Sequence, residues 1–168
     1  MSDADLARRM AKLEALEDIK ELKHRYFRAM TFGDYDLLKT TLTEDVVTSY
    51  SDGEYVFDDR EKLLRFLIDS HHAGQQVAYW MCGMPEIKIA SETEATGIWA
   101  FYHYFYHRGH EFVDEIFAYY DDEYRKEDGV WRIARTGYTR VLNQELYRRD
   151  MPYKVKVPAG PVPKAESQ

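Results

Sequence analysis

Leu6, Met10, Leu13, Leu16, Ile19, Leu22 and Tyr26 recur at steps of three and four residues, which predicts one amphipathic helix from Asp3 to about Phe32, ended by Gly33. Its first three turns are apolar only along a narrow stripe, so residues 1–15 read as a projecting extension. Residues 19–30 instead carry the broad apolar face of a helix that lies on a sheet. A short helix is expected over 34–42. Segments 45–51 and 54–57 flank Ser-Asp-Gly, with Val46, Thr48 and Tyr50 sharing one face, and read as a hairpin. Asp58 or Asp59 offers a cap for a helix over 60–72, whose buried stripe is Leu63, Leu64, Phe66, Leu67 and Ile68.

The period then changes. Segments 77–84, 86–91, 96–107, 111–125 and 130–141 are rich in aromatic and β-branched residues and are separated by turn formers, so they read as strands. Helices first and a meander of strands afterwards predict an α+β domain over residues 1–150, with one antiparallel sheet curling around the leading helix. Prolines 152, 158, 161 and 163 exclude a helix or a central strand from 151–168, which is expected to form an extended arm or to be disordered.

Composition narrows the function classes. The 168 residues suit one domain able to bury its own core. A formal charge of −7, from 30 acidic and 23 basic residues, disfavours nucleic acid or an anionic membrane as partner. A single cysteine, Cys82, excludes an internal disulfide, and no apolar run approaches the ~18 residues of a membrane span. The charged helical N-terminus is unlike a signal peptide, so a cytoplasmic protein is expected.

The stretch TGIWAFYHYFYHRGH at 96–110 holds the candidate chemistry. Alternation puts Trp99, Phe101, His103, Phe105 and His107 on one face and Ile98, Ala100, Tyr102, Tyr104 and Tyr106 on the other. Both faces need cover, and the face carrying imidazoles among rings can form the wall of a wet pocket or a core with histidines at its rim. Glu115 shares parity with Phe117 and Tyr119, and Asp114 is the competing carboxylate if the register slips by one. His107, His110 and Glu111 near Arg108-Gly109 match no ligand spacing, so no metal site is expected. His71 and His72 suit a helix C-terminus without catalytic duty.

IKELKHRYFR at 19–28, TTLTEDVVTSYSDGEYVF at 40–57, PEIKIASETEATGIW at 85–99, YYDDEYRKEDGVW and TGYTRV resemble the SnoaL-like branch of the nuclear transport factor 2-like superfamily. Bile-acid 7α-dehydratase and, more remotely, scytalone dehydratase belong to that branch. The resemblance implies a cone in which a curved sheet and a long first helix enclose one deep pocket, in homodimers or homotrimers, without metal or organic cofactor. It places Tyr26, Tyr50 and His103 in the pocket, and Arg140 matches an arginine of the bile-acid enzyme. It also puts Thr31 where the family has an orienting aspartate and Trp80 where it has the proton-removing histidine. Indole accepts no proton, and a positioned base is worth about 10²–10⁴ in rate, so an unaltered dehydratase mechanism is not expected.

The function expected from residues and resemblance together is a cofactor-independent lyase acting by acid/base chemistry on a hydrophobic aromatic or polycyclic molecule, by dehydration or carbon–carbon cleavage. His103 is the expected base or acid, Glu115 its orienting partner, and Tyr26 and Tyr50 the hydrogen-bond donors. Thr31, Trp80, Trp99, Phe101, Phe117 and Arg140 are expected to contact substrate. A non-catalytic ligand-binding or assembly module, or an isomerase or cyclase, is the alternative on the same fold. Tyr102, Tyr104 and Tyr106 on the outer sheet face predict a homo-oligomer, a trimer before a dimer.

Overall fold

In the computed structural model, residues 2–71, 76–107 and 112–147 are described. A 30-residue helix, α1 (Asp3–Phe32), opens the chain. The Ser2 side chain accepts a hydrogen bond from the Asp5 N–H at its start. At its end Gly33 adopts φ +64°, a left-handed conformation that glycine takes without a side-chain clash. Leu6, Met10 and Leu13 are exposed, whereas Ile19, Leu22, Tyr26, Phe27, Ala29 and Met30 are buried, so packing begins near Ala15.

Next come α2 (Tyr35–Thr40), β1 (Leu42–Tyr50), a single 3-10 turn over Ser51–Gly53, β2 (Tyr55–Phe57) and α3 (Arg60–His71). The hairpin is as expected, with Thr48 opposite Phe57, and Val46, Thr48 and Tyr50 are buried together. Of the two candidate caps for α3, Asp59 is used, accepting from the Lys62 N–H at 2.9 Å. The remaining strands are β3 (Gln76–Ile89), β4 (Glu94–His107), β5 (Phe112–Glu127) and β6 (Val130–Tyr147).

The six strands form one sheet in the order β2-β1-β6-β5-β4-β3. Two details differ from the sequence expectation. Segments 77–84 and 86–91 are one strand, because a bulge between Gly83 and Glu86, with Met84 at φ +48°, absorbs the irregularity instead of ending the pairing. The sheet is antiparallel except at β1 and β6, which run parallel. That junction depends on Gly137, opposite Ser49, where a β-carbon would collide with the Ser49 carbonyl oxygen. Gly137→Ala is therefore expected to lower the unfolding free energy by about 1–3 kcal/mol, measured by urea denaturation.

The sheet curls around α1. Phe27 stacks on Phe101 at 5.6 Å between centroids and meets Tyr120 edge-on at 5.4 Å, tying the helix to the concave faces of β4 and β5. Leu63, Leu64 and Leu67 of α3 bury their stripe in the same cluster. No helix among the described residues is long and apolar enough to cross a membrane. Residues 72–75, 108–111 and 148–168 lie outside the description, and with them the readings on His72, His110, Glu111 and the proline-rich arm.

Candidate active site

Strand β4 presents Trp99, Phe101, His103 and Phe105 to the concave side, and Tyr102, Tyr104 and Tyr106 to the outer side, as alternation predicts. His103 is 9% exposed. Its register partner on β3 is Trp80, and the two rings stack at 5.2 Å and 19°. Phe105 meets the imidazole edge-on at 5.1 Å. Flat rings on two sides fix the plane of His103, which lines a cavity of about 440 Å³. A volume of this size suits a small molecule of several rings.

Four parts of the chain build that cavity. The concave sheet contributes Trp80, His103, Phe105, Ile116, Tyr120 and Tyr138, and α3 adds Phe66, Leu67 and Ser70. Met30 at the end of α1 closes one side. The segment from Tyr50 to Tyr55 closes another. Polar side chains gather at one end: Glu54, Asp114, Arg140, Asn143 and Glu145.

Tyr50 lines the cavity, whereas Tyr26 stands behind it, fully buried, with the two hydroxyls 2.7 Å apart. The expectation that Tyr26 itself reaches the cavity is thus corrected. Position 26 faces the core side of α1, and Tyr50 fills the space between it and the void. Burial pushes both hydroxyls well above the ordinary phenol range, so both remain protonated and able to donate. A second hydroxyl pair, Ser51 with Tyr138 at 2.8 Å, lies alongside. Arg140 lines the polar end, as expected, and its Nε lies 2.6 Å from Asp52 Oδ2. The Arg140 backbone N–H and guanidinium together hold the Asp52 carboxyl below the usual carboxylate range. This grip secures Asp52 at φ +61° in the turn that closes the cavity.

Five further site expectations change. Glu115 is on the outer face, opposite Tyr104, where it accepts hydrogen bonds from the Tyr102 hydroxyl and from Gln144. Its expected pairing with His103 is therefore not formed, and the carboxylate of that segment that lines the cavity is Asp114. Phe117 shares the outer face and is 38% exposed. Trp99 and Phe101 do point inward, but both are packed as core, Trp99 donating to the Tyr124 hydroxyl at 2.8 Å. Thr31 lines a separate groove of about 260 Å³ between α1 and β3, with Trp80 as the wall shared with the main cavity.

A buried ion pair was missed from sequence. Lys23 Nζ lies 2.6 Å from Asp122 Oδ2, both side chains 0% exposed. Asp122 also accepts from the Thr136 and Tyr124 hydroxyls at 2.6 Å each. The ammonium sits 4.0 Å from the centre of the Tyr120 ring and 5.0 Å from those of Tyr26 and Phe27. It thus touches the back of Tyr120, a ring that lines the cavity. Position 23 lies on the same helical stripe as Ile19 and Tyr26, which was the available signal. Among the described residues no three or more His, Cys, Asp or Glu side chains gather as a metal site.

A curved sheet wrapped around a long helix, with a ring-lined cavity between them, is the arrangement of a nuclear transport factor 2-like domain. The SnoaL-like domain profile matches residues 11–137, and the chain belongs to that family. Similar solved structures include a hexachlorocyclohexane dehydrochlorinase, LinA-type3, from Novosphingobium barchaimii LL02, at 15% identity and TM-score 0.76, covering 89% of this chain and 99% of that one. A protein named for scytalone dehydratase from Novosphingobium aromaticivorans DSM 12444 has 18% identity and TM-score 0.74, with coverage of 93% and 98%. ActVI-ORFA from Streptomyces coelicolor has 14% identity and TM-score 0.65, covering 76% and 98%. At these identities the likeness is one of fold.

Proposed function

We propose that the chain is a cofactor-independent lyase whose 440 Å³ cavity binds a hydrophobic aromatic or polycyclic molecule, with His103 moving the proton. The observation that carries this is the His103 imidazole, clamped between Trp80 and Phe105 at the wall of a cavity otherwise rich in rings. A neutral imidazole there removes a proton from a carbon beside a carbonyl. The C–H electron pair forms the new double bond, and the hydroxyl on the neighbouring carbon departs with the C–O pair, taking the proton back from the imidazolium so that it leaves as water and the imidazole is restored. When Tyr26 donates to Tyr50, the Tyr50 proton is left for the carbonyl oxygen on which charge develops. Tyr26 is then a positioning residue. The dehydrochlorinase and the dehydratase-named relative support elimination as the reaction class.

The reading is tested by screening aromatic and polycyclic β-hydroxy ketones with the purified chain, following the conjugated product by absorbance and aldehyde release by trapping. Loss of water supports dehydration, and aldehyde release would replace it with carbon–carbon cleavage. Tight binding of such compounds with no turnover would make the domain a binding module.

We further propose a homo-oligomer, a trimer before a dimer, formed through the outer sheet face. Tyr79, Met81, Ile98, Tyr119 and Leu142 are exposed there beside the Tyr102–Glu115–Gln144 hydrogen bonds. Sedimentation equilibrium is expected to give three times the 19.9 kDa chain mass. A species of one chain mass at micromolar concentration would dispose of the assembly.

A further inference from the structure

The main cavity ends at one side chain. Asn143 on β6, Ile116 on β5, His103 on β4 and Trp80 on β3 are successive register partners, so they form one row across the sheet, and all four line the cavity. With neighbouring strands about 4.8 Å apart, the row spans about 14 Å. Asn143 is exposed, as are Glu54 and Glu145 of the same polar end, which marks the mouth. The row stops at Trp80, because β3 is the edge of the sheet. There the indole stacks on His103 at 5.2 Å and meets Phe105 at 6.5 Å. Trp80 also lines the 260 Å³ groove between α1 and β3, and among the described residues it alone is common to the two linings. Beyond it the groove runs between Phe27 and Thr31 of α1 and Cys82 of β3, and it opens at the exposed Phe32 and Met81.

We infer that Trp80 is the specificity-determining stop of this site: a ligand lies across the strands along the row, ring end first, and the indole fixes how long it can be. The inference rests on the proposed use of the cavity as the substrate site. The substrate class that fits is an elongated molecule with its rings in line and its polar group trailing at Asn143. His103 stands one strand, about 4.8 Å, short of the stop and two strands, about 10 Å, from the mouth. The carbon that gives up its proton therefore belongs to the leading ring or to a group attached to it. A smaller side chain at position 80 carries the floor of the cavity on into the groove, where one more ring finds the apolar walls of Phe27 and Phe32. Removing the stop thus lengthens the site without widening it, since the rest of the lining is unchanged.

Two probes that differ in length test this in the full chain, 2-(2-naphthyl)ethanol and 2-(6-phenyl-2-naphthyl)ethanol, with binding followed by the anisotropy of their own emission. Trp80→Ala is expected to improve the affinity for the longer probe relative to the shorter by roughly ten-fold. Trp80→Phe, which keeps a ring beside His103, should move the ratio the same way by less, and it decides the matter if the alanine chain does not fold. Thr31→Trp fills the groove from the α1 side. Alone it should leave both affinities unchanged, and combined with Trp80→Ala it should cancel the gain. An unchanged ratio in the Trp80 variants, or a gain that survives Thr31→Trp, overturns the stop while leaving the cavity as a ligand site. The expected shift with no turnover of any β-hydroxy ketone upholds the stop and overturns the lyase reading instead. Failure of every chain to bind either probe overturns both.

Discussion

Asp122→Asn is expected to lower the unfolding free energy by about 3–5 kcal/mol, because it leaves the Lys23 ammonium fully buried without its counter-charge. For a chain of this length that is of order 10 °C in melting temperature. The Thr136 and Tyr124 hydroxyls bond different oxygens of the carboxylate and the amide keeps only one of them, so the cost combines the lost charge with one lost acceptor. In the Asp122→Asn background, Lys23→Met should recover much of the loss. A thioether of similar length is well suited to the space between the rings of Tyr26, Phe27 and Tyr120. Alone, Lys23→Met should destabilise by leaving a buried carboxylate. A double-mutant cycle by chemical denaturation reads this reversal of sign. Additive losses would show that the two charges are stabilised independently of one another.

His103→Gln is expected to lower turnover of any substrate the protein transforms by about 10²–10⁴, the usual worth of a positioned base. The melting temperature should move little, since an amide can occupy the same slot between Trp80 and Phe105. Tyr50→Phe removes the donor that faces the cavity and is expected to cost about 10²–10³ in kcat. Tyr26→Phe should cost less, because that hydroxyl stands behind Tyr50 and does not line the cavity. Glu115→Gln should leave kcat unchanged, since its hydrogen bonds to Tyr102 and Gln144 lie on the opposite side of the sheet. Full turnover by His103→Gln would remove the imidazole from the mechanism and leave it a packing residue beside Trp80.

The periodicities alone determined the order of elements. Apolar steps of three and four over Leu6–Tyr26 gave one long helix, and alternation over 96–107 put His103 and the three tyrosines on opposite faces, because helical and strand periods are local properties of the backbone. The same alternation is written in β5. Asp121, Glu123 and Arg125 mark the odd positions as the wet face, so Glu115 and Phe117 belong outside, with Asp114, Ile116, Tyr120 and Asp122 within. Only tertiary structure could decide the rest. The parallel pairing of β1 with β6 joins residues some ninety apart in the chain, and its close approach at Gly137 leaves no periodic trace. Whether Trp99 and Phe101 line a void or fill the core depends on where Phe27 and Tyr124 come to rest. The Lys23–Asp122 pair and the opposed Asp114 and Glu145 are meetings between distant elements, and a charge in the sequence shows neither its burial nor its neighbour until the chain has folded.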